Sequence, residues 1–267
     1  MADARFLVAV TRWARPPEQE LTALAPLFGL TPYDLRLRLL GPLPVLAAQG
    51  LDAETAAELA RALRGQGHGA LACDQASIPR GDELVEPRDF ALEPEALALA
   101  GPGAVRLPYA GLEALVLATR ISAETSATAV TQKRLSVGRA MVTGGLSVRS
   151  KKTRNVRESD ESRELVLYLY AQGAPRPVRL CESSLRYGQL AELMAPTGSQ
   201  NFQALVAILR ERARAAWFDE RLVTQPRKPT LVGASIGTRQ LTESRSNAAE
   251  LDLAVHLLVR AHREQQL

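Results

Sequence analysis

Arg163-Glu164-Leu165-Val166-Leu167-Tyr168-Leu169-Tyr170 is the stretch on which the fold turns. β-Branched, aromatic and leucine residues crowd together here, as they do in a buried sheet strand. A strongly basic segment precedes the run and an amphipathic helix closes the region behind it. Phe90 to Trp217 therefore reads as one sheet-based unit, with strands expected over Phe90–Leu92, Ala96–Ala100, Val105–Pro108, Gly111–Ile121, Leu165–Ala171 and Pro177–Cys181. Glu93-Pro94-Glu95, Gly101-Pro102-Gly103 and Gln172-Gly173 supply the turns. In the closing helix Phe202, Leu205, Val206, Leu209, Ala213 and Ala216 share a stripe, with Ser199 or Asn201 as its cap.

The N-terminal 76 residues have a different rhythm. Arg5–Thr11 reads as a strand, and Pro16-Pro17 opens a helix in which Leu21, Leu24, Ala25 and Phe28 recur at helical spacing up to Gly29. Thr31-Pro32 starts a second helix and Gly41-Pro42 stops it. Pro44–Ala48 is a strand, Asp52 caps a third helix with Leu59, Ala62 and Leu63 inward, and His68–Cys73 is the last strand. The order β, α, α, β, α, β predicts a two-layer unit with helices on one face of the sheet.

In that order, with Gly29-Leu30 leading into the second helix and Ala56-Ala57-Glu58-Leu59-Ala60-Arg61-Ala62-Leu63 leading to Gly67 and the last strand, the segment resembles the C-terminal domain of the bacterial ribosomal stalk protein. That family recruits translation factors through a lysine-rich second helix. The matching helix here carries Tyr33, Asp34, Arg36 and Arg38 instead, and the family's dimerisation segment and hinge are absent. The resemblance spans about a quarter of the chain and implies a similar fold used as a protein-contact module. The central run of antiparallel strands covered by one helix resembles, in layout, a pleckstrin-homology-like domain, which implies binding of peptide, lipid or protein.

The expected fold class is thus α+β, in three parts. These are a stalk-like domain over residues 1–76, a mainly antiparallel β domain over 85–220 with a basic insertion at 122–162, and a linker with a C-terminal helix over 221–267. The boundary near residue 80 rests on the polar, breaker-rich Ile78-Pro79-Arg80-Gly81-Asp82. The chain is long enough for two modest domains, and its 46% apolar and 23% charged residues are ordinary for a packed core.

The net charge of +4 conceals an asymmetry. Lys133, Arg134, Arg139, Arg149, Lys151, Lys152, Arg154 and Arg157 fall in a stretch free of acidic residues, and the rest of the chain holds 25 basic against 29 acidic residues. The basicity is a patch rather than a general coat. Leu135–Val142 and Leu146–Arg149 around Thr143-Gly144-Gly145 suit a hairpin whose basic tail presents Arg149, Lys151, Lys152, Arg154 and Arg157 to an anionic partner, nucleic acid or phospholipid, with all eight basic residues as the candidate binding site. A solvated loop is the alternative. No aromatic residue lies between Ile121 and Leu165, so the stacking platforms of single-strand binders are missing.

In the tail, Gln225–Pro229 is an extended linker, and Gly233-Ala234-Ser235-Ile236-Gly237 fits the G-x-S-x-G pattern of a nucleophile elbow. It resembles the α/β-hydrolase family in this pentapeptide, with Glu243, Glu250 or Asp252 and then His256 or His262 in the order acid, histidine. The architecture argues against catalysis at Ser235, because a hydrolase fold needs parallel strands before the serine and more after it. A glycine-rich connector is the plainer reading. The last helix begins near Asn247, which with Glu250 makes a capping box, and carries Leu251, Ala254, Leu257, Leu258 and Ala261 on one stripe. It docks either back on the chain or on a partner.

His256 and His262, six apart, do not share a face for a metal. There is no P-loop, Cys-x-x-Cys or His-Glu-x-x-His, so no cofactor is expected. Cys73 and Cys181 read as small buried hydrophobes in a reducing compartment. No apolar run reaches the roughly 20 residues that span a bilayer, and the start lacks a secretory layout, so a cytoplasmic protein, not an integral membrane one, is expected. The sequence supports a non-enzymatic adaptor with a protein partner, ahead of an anionic-surface binder and a serine hydrolase.

Overall fold

The computed structural model describes residues 5–101, 104–135, 149–236 and 240–267, of which 127–135, 149–158, 236 and 240–242 are described by backbone alone. Small antiparallel sheets, a larger sheet and covering helices make the fold α+β. The chain forms two compact units: Met1–Arg120 with Glu164–Arg227 and Ala248–Leu267, and Ile121–Arg163 with Lys228–Asn247. No helix among the described residues is long and apolar enough to cross a membrane.

The first unit starts with β1 (Phe6–Arg12), α1 (Pro17–Phe28), α2 (Pro32–Leu39), β2 (Val45–Leu51), α3 (Ala53–Gly65) and β3 (Gly69–Asp74), in the order the sequence predicts. Its helix ends follow local chemistry. Gly29 closes α1 in the left-handed region at φ 62°, Thr31 Oγ1 accepts from Asp34 N at 3.2 Å, and Asp52 Oδ1 accepts from Thr55 N at 2.9 Å. Both β2 and β3 pair antiparallel with β1, giving the order β2-β1-β3. Val8 and Val10 face Leu24, Leu35, Leu39 and Leu63 of the three helices, while Leu7 and Ala9 face the other way.

The central sheet of this unit uses the first half of β7 (Leu112–Leu135), the second half of β8 (Arg149–Ala171), β9 (Val178–Cys181) and β10 (Trp217–Glu220), the last parallel to β7. Alternation along β8 sorts its side chains. Leu167 and Leu169 join Phe202, Leu205 and Leu209 of α4 (Gly198–Arg212) and the sheet β4 (Asp89–Leu92), β5 (Ala96–Ala100), β6 (Val105–Pro108). Val166, Tyr168 and Tyr170 point the other way. The cap of α4 differs from the one expected: Thr197 Oγ1 accepts from Gln200 N at 3.2 Å, whereas Asn201 is buried, bonding both backbone groups of Ala195. A four-residue helix, α5 (Arg221–Thr224), follows β10.

The C-terminal helix α6 (Ala248–Arg263) settles the question its stripe leaves open. Leu251, Ala254, Val255, Leu258 and Val259 pack on Ala114, Val116, Val166 and Tyr168, while Leu257 and Ala261 pack on Leu7, Ala9, Leu71 and Cys73. The helix therefore lies between the N-terminal sheet and the central sheet, apolar on more than one side as buried helices are. It is part of the core and offers no apolar face to a partner.

Charged groups pin it. Asp252 Oδ1 accepts from Tyr168 OH and from Arg179 Nη1, each at 2.6 Å, and Arg179 also pairs with Glu86. Arg120 Nε donates to Glu164 Oε1 at 2.6 Å and reaches Glu86 at 3.8 Å. Burial works against the Arg179 charge, but Asp252, then Tyr168 and Glu86, more than reverse it and hold the guanidinium above its ordinary range. At the other end Arg263 grips Glu113 with two bonds of 2.6 and 2.7 Å, and His262 stacks on Trp217 at 4.6 Å.

Candidate partner-binding surface

The second unit is built from the remaining halves of β7 and β8 together with β11 (Thr230–Ile236) and β12 (Gln240–Ser246). Strand order is β11-β12-β7-β8, with β12 antiparallel to β7 from Gln240↔Thr128 to Ser246↔Ser122. Asn247 anchors the sheet: its Oδ1 accepts from Ile121 N at 2.8 Å and its own N–H donates to Ile121 O at 3.1 Å.

The described side chains of this unit have an unusual property. Only Ile121 and Asn247 are buried; the rest are exposed or half-buried. Ser, Thr, Ala and Gly are frequent in the strands, which leaves few large apolar side chains to bury among the described residues. Its cohesion comes from the backbone ladder and from polar cross-strand contacts such as Thr125 Oγ1 to Ser159 Oγ at 3.3 Å. A shallow cavity of about 350 Å³ on one side is lined by Ser122, Glu124, Asp160, Ser162, Ser244 and Arg245.

Charge is concentrated here. The unit holds twelve Lys and Arg against five Asp and Glu, net +7, whereas the first unit holds 21 against 24, net −3. Of the eight predicted site residues, Lys133 and Arg134 lie in β7, and Arg149, Lys151, Lys152, Arg154 and Arg157 lie in β8. These are hydrogen-bonded neighbour strands, so on both sides of the insertion's centre the solvated-loop reading gives way to paired strands. Arg139 lies outside the described residues, as do the expected Thr143–Gly145 turn and the Gly101–Gly103 turn beyond its first residue. The acidic residues Glu158, Asp160 and Glu161 follow the basic run along β8.

The hairpin β11–β12 was not legible as strands. Where the sequence reads as a glycine-rich connector, Leu231 to Ile236 pairs antiparallel with Arg245 to Leu241. Val232 is an extra residue between the Leu231↔Arg245 and Gly233↔Ser244 pairs, a β-bulge. Ser235 faces Thr242 within this ladder and is not on a strand-to-helix elbow. Of the acid and histidine candidates, Asp252 and His256 do not pair. Asp252 bonds Tyr168 and Arg179, and neither ring nitrogen of the buried His256 has a hydrogen-bond partner.

At the end of the strand order, β11 has a free edge among the described residues, and Leu231 and Val232 on it are 58% and 68% exposed. Leu231 to Ile236 carries no charge. Such an edge is a template for strand addition, blunted here only by the bulge and by Pro229 before it.

One apolar surface on the first unit is also uncovered. Leu35 and Leu39 of α2 are buried, but Tyr33 and Leu37, one turn apart, are 68% and 69% exposed, with Arg36 and Arg38 beside them. Among the described residues no three His, Cys, Asp or Glu side chains gather as metal ligands. Comparison with protein-family models, with curated proteins and with solved structures finds no match to this chain.

Proposed function

We propose that the chain is a non-catalytic, cytoplasmic adaptor that holds an acidic protein partner on its second unit. One observation carries this reading: a four-stranded sheet whose described side chains, Ile121 and Asn247 apart, are exposed or half-buried, net +7, in a chain whose remainder is net −3. Packing gives no reason for such a sheet, and long-range attraction of an anionic partner does.

Three classes of anionic partner compete, and two features favour protein. The unit has no Phe, Trp, Tyr or His, so bases have nothing to stack on and a bilayer interface has no aromatic anchor. The uncharged edge of β11, with Leu231 and Val232 exposed, suits an extended peptide backbone. The uncovered Tyr33 and Leu37 on α2 supply a second contact surface, which is what makes the molecule an adaptor; the stalk-like arrangement of the N-terminal segment agrees with that role.

Nuclease-treated capture from native extract, with the full chain beside a bait lacking residues 133–157, tests the proposal. A protein retained by the full chain and lost from the shortened bait supports it. Partners shared equally by both baits, or capture abolished by nuclease, would overturn it.

A further inference from the structure

A second site lies in the first unit and is independent of the surface proposed above. A cavity of about 380 Å³ opens beside α6, between β1, β2 and the loop that follows β3. Leu7, Leu46, Ile78 and Leu253 give it apolar walls, and Asp252 stands in its lining. The volume falls in the range of small-molecule sites, and the composition, apolar walls with few polar groups, is the usual one for them.

Asp252 is only 7% exposed, and its two carboxylate oxygens are used unequally. Both of its hydrogen bonds, from Tyr168 and from Arg179, go to Oδ1. Oδ2 accepts no hydrogen bond among the described residues, and a Cβ built on Gly81, another lining residue, would stand 3.5 Å from it. Oδ2 thus faces the cavity. A carboxylate can accept about four hydrogen bonds, so its capacity is half spent. The surrounding cluster sets two guanidiniums, Arg120 and Arg179, against three carboxylates, Glu86, Glu164 and Asp252, an excess of one negative charge. The other cation at the cavity, Arg80, already pairs with Asp82 and Glu83.

We infer that this cavity binds a small molecule or side chain bearing a primary ammonium on an apolar stem, with the ammonium donating to Asp252 Oδ2 and the stem against Leu7, Leu46, Ile78 and Leu253. A buried carboxylate with a free oxygen gains from a charged donor, while a carboxylate-bearing ligand is repelled and an alcohol forms only the weaker neutral bond.

Titration calorimetry of the full chain with phenethylamine, 2-phenylethanol and 3-phenylpropionate tests the site, since the three probes share a body and differ in the head group. A ligand of this size has an expected affinity of roughly millimolar. The amine binds at least about tenfold more tightly than the alcohol, the acid does not bind, and Gly81→Leu, which fills the mouth beside Oδ2, abolishes amine binding while circular dichroism is unchanged. Gly81→Ala, a smaller intrusion at an exposed position, weakens it. Equal affinity for amine and alcohol, absence of amine binding up to about 10 mM, or amine binding untouched by folded Gly81 variants would overturn the inference.

Discussion

His256 is an unusual residue to find inside α6: it is 8% exposed, and neither ring nitrogen is hydrogen-bonded. Burial, helped by Arg260 and Arg263, pushes its pKa from 6.5 down to about 4. The folded imidazole is therefore neutral where the unfolded one begins to take a proton. Stability is intact above pH 6.5, falls as the pH drops toward 4, and levels off below, for a total near 3 kcal/mol. His68 is shifted in the same direction by burial. Urea titrations from pH 7 to 4 show this loss in the native chain and a smaller one in His256→Leu. Equal slopes in the two proteins would refute the assignment. At Cys181 burial pushes the thiol up to about 11, and Cys73 is buried too, so both resist alkylating reagents at neutral pH until the chain unfolds. Removing a partner from the Asp252 cluster is costlier. Asp252→Ala strands Arg179 and the Tyr168 hydroxyl, and a loss of about 3–5 kcal/mol is expected in the same titration. Of these residues, Asp252 stood out in the sequence as a possible triad acid, and His256 as a possible triad base or, with His262, a metal ligand. Nothing in their spacing revealed that Tyr168 and Arg179, at least 73 positions away, would claim the acid.

At the level of elements, legibility follows burial. The helices of the N-terminal segment could be read from one buried stripe each and from Pro, Gly, Thr31 and Asp52 at their ends, its first and last strands from short apolar runs that the fold buries on both faces, and α4 from its stripe. The outer halves of β7 and β8, and all of β11 and β12, could not. Period-two alternation of apolar and polar residues exists only when one face is buried, and the described side chains of these strands, Ile121 apart, are exposed or half-buried. Their Ser- and Thr-rich sequences read as loop, and Gly233-Ala234-Ser235-Ile236-Gly237 as a motif. Because Ser235 lies in an antiparallel ladder, an active-serine fluorophosphonate is expected to leave it unlabelled, and labelling lost in Ser235→Ala would contradict this. On α2, Tyr33 and Leu37 touch little, so the double change to alanine alters stability by no more than about 0.5 kcal/mol yet removes whichever partner uses that helix. A large fall in stability would instead make the pair structural.

For the molecule as a whole, the division of charge is the feature on which the proposed function rests. The sequence placed the basic residues and the sign of their surroundings. It could not show that the tail returns twice, first as the β11–β12 hairpin beside β7 and then as α6 in the core of the first unit, because both depend on pairings between segments far apart in the chain. That return adds Lys228, Arg239 and Arg245 to the second unit and brings its charge to +7. Under the proposed function, binding there is expected to weaken as salt rises from about 50 to 200 mM, since screening acts on exposed charges.

Fluorescence anisotropy over that salt range, with a Glu-rich peptide, a single-stranded oligonucleotide of equal net charge and anionic vesicles as probes, puts the proposal to its plainest test. The full chain should prefer the peptide, lose it as salt rises, and lose it outright when Lys151, Lys152, Arg154 and Arg157 are changed to Glu. Tighter binding of the oligonucleotide or the vesicles, or peptide binding indifferent to salt and to the four substitutions, would contradict an adaptor that holds an acidic protein on its second unit.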